Sequence, residues 1–230
     1  MSIGGEPIGV AVLGAGRMGQ THIRNLAAIP DVRIVCVADP NPHAAEAGRA
    51  LARAERRCTD PRDAIKAEGV DAVVIVTPTS THASLIETAA KAGKAIWSEK
   101  PIALELAETA RVVDVVRAAG VTVQLGFMRR FDPGYAASNA RIEAGELGRI
   151  EQFRALSRDT YPAPVEFLHH AGGIFLDMSV HDLDLARFLV GEVEEVYAWA
   201  AVLAEPSFAE ADDFDTALAM LRFESGAMGV

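Results

Sequence analysis

Between Pro7 and about Phe127 the chain alternates short apolar runs, rich in valine and isoleucine, with alanine-rich amphipathic stretches. The runs predict strands at Ile8–Leu13, Val32–Ala38, Ala72–Val76, Ala95–Ser98 and Thr122–Gly126. The stretches between them predict helices at about Arg17–Ala28, Pro42–Arg53, Pro61–Ala67, Ser80–Ala92 and Ala103–Ala119. Strands that are apolar almost throughout, joined by crossover helices, belong to a parallel sheet covered on both faces. Residues 1–126 are therefore expected to form a doubly wound α/β domain.

After Gly126 the pattern changes. A loop around Asp132-Pro133-Gly134 leads into a helix to about Ala144, then a strand near Ile150–Ser157 and a long irregular stretch to Gly173. A helix over about Ile174–Val190 ends at Gly191, where glycine suits a left-handed cap. Alternating runs at Val193–Leu203 and Asp215–Phe223 follow, the latter turning through Glu224-Ser225-Gly226 into a last strand. Residues 127–230 thus read as an α+β domain, helices on an open and mostly antiparallel sheet. A strand leaving a hairpin should be paired and covered, and the sequence stops inside one at Val230, so it reads as truncated.

Composition narrows the function classes. Of 230 residues half are hydrophobic and 23% are charged, a globular composition. Apolar runs such as Ala72–Val76 fall far short of the roughly 20 residues that cross a bilayer, and no basic flank precedes an apolar run at the N-terminus. The net charge of −10 repels nucleic acid and anionic membrane, and the Arg56-Arg57 and Arg129-Arg130 pairs are too short to form a basic patch. A solvated helix face accounts for the first pair. Cys36 and Cys58 form neither a C-x-x-C pair nor a disulfide framework, which suits a reducing compartment and a cytoplasmic location.

The strongest motif is Gly14-Ala15-Gly16-Arg17-Met18-Gly19, which follows a strand and opens a helix, with Asp39 at the end of the next strand. In a dinucleotide fingerprint Gly14 makes the tight turn, Gly16 lets backbone approach a pyrophosphate, Gly19 lets helix pack on strand, and the helix N-terminus holds the anion. A carboxylate at Asp39 suits two ribose hydroxyls and repels a 2′-phosphate, and Pro40, Asn41 and Pro42 supply no cation. NAD is favoured over NADP.

Two further segments lie at carboxyl ends of predicted strands, where ligands sit in open α/β sheets: Thr77-Pro78-Thr79-Ser80-Thr81-His82 and Glu99-Lys100-Pro101. The chain has four lysines, so Lys100 is not one of many interchangeable surface charges. His82 reads equally as a cofactor contact or a surface histidine at a helix start. A third segment, Gly172-Gly173 through Asp177 and His181, puts a carboxylate and an imidazole four residues apart on one helix face, where the first can orient the second. His169 and His170 leave a metal site open, although no thiolate accompanies them. The Tyr-x-x-x-Lys pair of short-chain dehydrogenases is absent, since Asn139, Val165 and Ala201 stand four residues after the tyrosines.

In order and spacing these motifs, with Gly126-Phe127-Met128-Arg129-Arg130-Phe131-Asp132-Pro133, resemble the Gfo/Idh/MocA oxidoreductases. Ser157-Arg158-Asp159 and the segment from Gly172 to Asp182 look most like inositol 2-dehydrogenases. The resemblance implies an N-terminal Rossmann domain, NAD as cofactor, a C-terminal α+β domain whose sheet often makes oligomer contacts, and a homo-oligomer in the full-length form. It implies that Lys100, Asp177 and His181 act in catalysis and that Met128, Arg129 and Asp159 line a polyol pocket. Gly14, Gly16, Arg17, Met18, Gly19, Asp39, Thr77, Pro78, Thr79, His82, Glu99 and Lys100 would face the cofactor. The expected activity is NAD-dependent oxidation of a secondary hydroxyl on a cyclic polyol, most plainly myo-inositol to its 2-keto form, with no metal. Relatives that hydrolyse glycosides through NAD, or that bind NAD without catalysis, are the rival readings.

Overall fold

The computed structural model describes residues 6–230, and its contacts divide into two compact units at the Gly126–Phe127 junction. In the first unit the elements run β1 (Ile8–Leu13), α1 (Arg17–Ala27), β2 (Val32–Ala38), α2 (Pro42–Ala52), β3 (Arg56–Cys58), α3 (Pro61–Ile65), β4 (Ala72–Ile75), α4 (His82–Lys91), β5 (Ala95–Ser98), α5 (Leu106–Ala119) and β6 (Val123–Leu125). The strands form one parallel sheet in the order β3-β2-β1-β4-β5-β6.

The apolar strands are explained by this order. β1 sits inside the sheet, and its side chains alternate between two layers: Ala11 and Leu13 join one core cluster, Val10 and Val12 the other. Burying each Val or Leu stabilises the fold by roughly 1.5–3 kcal/mol. From β1 the chain winds outward through β2 and β3, then returns and winds the other way through β4, β5 and β6. The carboxyl ends of β1 and β4 therefore flank the switch point, where such sheets hold ligands. Polar caps set the helix starts. Asn41 Oδ1 accepts from the His43 N–H at 2.9 Å and Asp60 Oδ1 from the Arg62 N–H at 2.8 Å, each followed by proline at the first helical position.

Some sequence expectations change here: α3 stops at Ile65 rather than Ala67, and α4 starts at His82 rather than Ser80. Arg56 and Arg57 lie in the edge strand β3, not on a helix face, because three backbone positions pairing with Cys36–Ala38 need no apolar pattern at a sheet edge. α5 starts at Leu106 rather than Ala103.

In the second unit come α6 (Pro133–Glu143), β7 (Gln152–Phe153), α7 (Val165–Ala171), a wide π-helical turn (Phe175–Ser179) running into α8 (Val180–Leu189), β8 (Val193–Ala201), α9 (Ser207–Glu210), β9 (Thr216–Phe223) and β10 (Met228–Gly229). The sheet order is β7-β10-β9-β8, antiparallel except for the β10/β7 pair. One sheet face packs Leu221 and Phe223 with Ala186 of α8 and Ala227. The opposite face is exposed and apolar: Tyr197 and Trp199 on β8 stand opposite Met220 and Leu218 on β9, each at least half exposed. The strand expected near Ile150–Ser157 shrinks to its two residues of β7, and the stretch expected to be irregular contains α7. The helix expected over Ile174–Val190 is interrupted by the wide turn.

Candidate functional site

At the end of β1 the backbone turns through Gly14 at φ +99°, and a Cβ there would stand 2.5 Å from the Val76 carbonyl oxygen. A Cβ on Gly19 would lie 2.1 Å from the Gly14 carbonyl oxygen, so α1 packs against the turn itself. At Gly16 a Cβ would meet nothing within 4 Å. Open space thus fronts the first turn of α1, which holds the exposed Arg17 and Met18 and has no side-chain cap. Uncapped N–H groups at the positive end of a helix, with no side chain in the way, fit the pyrophosphate of a dinucleotide.

Asp39 follows β2. Its Oδ2 accepts from the Ala15 N–H at 2.8 Å and its Oδ1 from the Asn41 N–H at 2.9 Å. These bonds orient the carboxylate beside the glycine turn, and each oxygen retains a lone pair for a hydroxyl donor. The residues present fit NAD.

After β4, Thr77 and Pro78 lead into a single 3₁₀ turn, Thr79–Thr81, in which Thr81 Oγ1 donates to Thr77 Oγ1 at 2.6 Å. His82 corrects the reading of a surface histidine. Its ring is 1% exposed, with Nδ1 2.7 Å from the Pro101 carbonyl and Nε2 2.8 Å from the Thr77 carbonyl. It stands in the core between two loops instead of at the surface, with its nitrogens already directed at backbone.

Glu99 is likewise engaged inside the unit. Its Oε1 is 3.0 Å from Nε2 of His22 on α1, and His22 lies 4.5 Å, ring to ring, from Trp97. The other oxygen, Oε2, accepts the Lys100 N–H at 3.3 Å. Burial alone would push the Glu99 carboxyl up, but the His22 bond and the charges of His22 and Lys100 outweigh it and hold it below the ordinary range. The Lys100–Pro101 peptide is cis. Sequence reasoning missed His22. Its only local signal is a polar residue three positions beyond Gly19.

In the second unit Arg129 ion-pairs with Asp182 through Nη1, and its Nη2 donates to Ser157 Oγ at 3.0 Å. Ser157 in turn donates to Asp182 Oδ2 at 2.6 Å. The guanidinium expected to line a polyol pocket is thus anchored to the residue after His181. Beside it Arg130 forks onto the buried Asp184, Nε to Oδ2 at 2.8 Å and Nη2 to Oδ1 at 2.6 Å, and lies over the Phe188 ring.

Gly172 and Gly173 both have positive φ, and Asp213 Oδ1 accepts the Ile174 N–H at 3.0 Å where the helical segment begins. A Cβ on Gly173 would press to 3.2 Å from that oxygen, which accounts for the glycine. Asp177 lies in the wide turn and His181 in the first turn of α8, both half-buried. Wide turns of this kind recur at functional sites. Met128 and Asp159 are exposed. His169 and His170 are exposed on α7, and among the described residues no His, Cys, Asp and Glu side chains are grouped to hold a metal.

Comparison with known proteins adds the relatives. Residues 8–127 match the model of an oxidoreductase family with an NAD-binding Rossmann fold, and residues 135–230 match the GFO/IDH/MocA C-terminal domain. The chain is 44% identical to scyllo-inositol 2-dehydrogenase (NAD(+)) of Bacillus subtilis over 95% of its own length and 65% of that protein. To inositol 2-dehydrogenase of Rhizobium meliloti it is 43% identical over 95% of its length and 66% of the relative. The structure of scyllo-inositol dehydrogenase from Lactobacillus casei with bound NAD(H) and scyllo-inositol aligns at TM-score 0.88 and 33% identity, covering 97% of this chain and 67% of that one. The chain therefore spans about two-thirds of the length of these relatives.

Proposed function

The chain belongs to the Gfo/Idh/MocA oxidoreductase family, and on that premise we propose that it serves as an NAD-dependent dehydrogenase acting on a ring hydroxyl of an inositol. The observation that carries this reading is the identity of 43–44% with inositol 2-dehydrogenases over 95% of the chain, joined to an Asp39 carboxylate oriented for a ribose. NAD, when bound, supplies the two-electron acceptor for the carbinol carbon. The glycine turn and the first turn of α1 take its pyrophosphate, and Asp39 takes the ribose hydroxyls.

The chain's own part in the chemistry is proton handling. His181 takes the hydroxyl proton, and Asp177, four residues earlier, orients the imidazole. In the first unit Lys100, at the end of β5, is the residue suited to stabilise negative charge developing on a substrate oxygen. Arg129, tied to Asp182 and Ser157, braces the start of α8 that carries His181, while Met128 and Asp159 are the exposed groups left to meet a polyol. We further propose that a second copy covers the exposed face of Tyr197, Trp199, Leu218 and Met220, making a homo-oligomer.

The test is a panel of inositols and sugars with NAD, followed by NADH absorbance. Turnover of myo- or scyllo-inositol above the other polyols is expected, and the ratio of the two assigns the preferred isomer. Turnover of a sugar with none of either inositol would overturn the substrate assignment.

A further inference from the structure

Cys36 and Cys58 occupy the adjacent parallel strands β2 and β3. The register pairs Ala38 with Cys58, so Cys36 is one diagonal step away on the same sheet face. Their sulfurs lie 3.1 Å apart, and both are free thiols. Cys36 is buried in the core, whereas Cys58 is partly open to solvent. Nothing in the proposed dehydrogenation uses either residue.

We propose that Cys36 and Cys58 form a reversible disulfide under peroxide and that this disulfide regulates NAD binding at Asp39, a proposal that rests on the NAD reading above. The bond needs the sulfurs to close from 3.1 Å to about 2.05 Å. β3 is the strand able to make that movement, being three residues long and at the sheet edge. It carries the ribose site with it, because the Cys58 carbonyl accepts the Asp39 N–H at 3.2 Å and the Asp39 carboxylate accepts the Ala15 N–H at 2.8 Å. A pull on Cys58 therefore reaches the acid and the glycine turn through two hydrogen bonds.

The chemistry divides between the sulfurs. Cys58, the accessible one, attacks hydrogen peroxide as thiolate; its S–O bond forms, the O–O bond breaks, and hydroxide leaves. Cys36 sulfur then attacks the resulting sulfenic acid, the S–S bond forms, its proton is lost and the second oxygen leaves as water. The pair gives up two electrons, and one peroxide becomes two waters. Burial, reinforced by the Cys58 contact, pushes the Cys36 thiol up to about 12, which leaves the more accessible Cys58 as the sulfur that meets peroxide first.

The experiment treats the 230-residue chain with hydrogen peroxide, maps the product by peptide mass and measures NAD affinity by calorimetry. A Cys36–Cys58 linked peptide, NAD affinity weakened about tenfold, and recovery of both on adding dithiothreitol are expected. Cys36→Ser and Cys58→Ser should each form no link and keep their NAD affinity through the same treatment. Sulfinic acid at Cys58 without a link would overturn the disulfide, and a link with unchanged NAD affinity would overturn its regulatory role. Should the reduced chain fail to bind NAD at all, the cofactor reading fails, while the peptide map still decides the disulfide.

Discussion

His22 and Glu99 stand 77 residues apart in sequence and 3.0 Å apart in space, joining the helix of the glycine fingerprint to the loop of Lys100. With its carboxyl held below the ordinary range, ionised Glu99 stabilises the fold at pH values above the unfolded figure of about 4.3. That contribution disappears as pH falls through the lower folded value. Glu99→Gln is therefore expected to destabilise the first unit near neutrality by about 1.5–3 kcal/mol, the scale of a hydrogen bond to a charged group. The difference should vanish in acid. Urea melts of parent and variant at several pH values measure it, and a pH-independent gap would count against the ionised pair.

Cofactor choice follows from Asp39. NAD should bind more tightly than NADP by at least about 1.4 kcal/mol, roughly tenfold. Asp39→Ala should narrow the gap, since it removes both the ribose acceptor and the charge that repels a 2′-phosphate. Calorimetric titration with each nucleotide reads the result; equal binding by the parent contradicts it.

His181→Ala and Lys100→Ala are each expected to lower kcat by about 10²–10⁴, the range for removing a positioned proton-transfer group. NAD affinity should hardly change. Steady-state kinetics with inositol, alongside calorimetry, separates the two. A folded His181→Ala protein turning over within about threefold of the parent would leave the proton to another group.

Asp184→Ala strips Arg130 of its three hydrogen bonds to that carboxylate while leaving the cation partly covered by Phe188. The loss should be about 2–4 kcal/mol, below the largest values for buried pairs because the Arg130 side chain is 38% exposed. It should fall on the second unit alone. Hydrogen exchange, faster in α8 and unchanged in β1, is the measurement; uniform acceleration would speak against two separately stable units.

Trp199→Glu places a charge in the exposed face of the second sheet. If a second copy covers that face, sedimentation should report a lower mass for the variant at the same concentration. Identical sedimentation of parent and variant would send the contact elsewhere.

What the sequence disclosed follows physical lines. β1, β2 and β5 were legible to the residue because each carries a short apolar run, buried on both faces from Gly9 in β1 and from Ile34 in β2 and on the Ile96 and Ser98 side in β5. Glycine fingerprint and acid were legible because their logic is local to strand, turn and helix. β3 was not, being held by backbone pairing at an edge and carrying Arg56 and Arg57 outward. α7 has seven residues, too few for a periodic signal. His22, the His82 bond to Pro101, and Asp213 escaped for a different reason. Each is defined by a partner 77, 19 or 39 positions away, and no window of sequence contains both ends.

One residue added to an α-helix rotates everything beyond it by about 100°, enough to swing Asp184, Leu185 and Ala186 out of the core they now occupy. The wide turn at Phe175–Ser179 takes up one such residue within itself, so α8 keeps the phase it would have without that residue. Shortening the turn by Met178 would return it to ordinary helix and leave the buried side of α8 where it is. The segment bearing Asp177 can therefore lose that one residue without turning the buried side of α8 away from its packing.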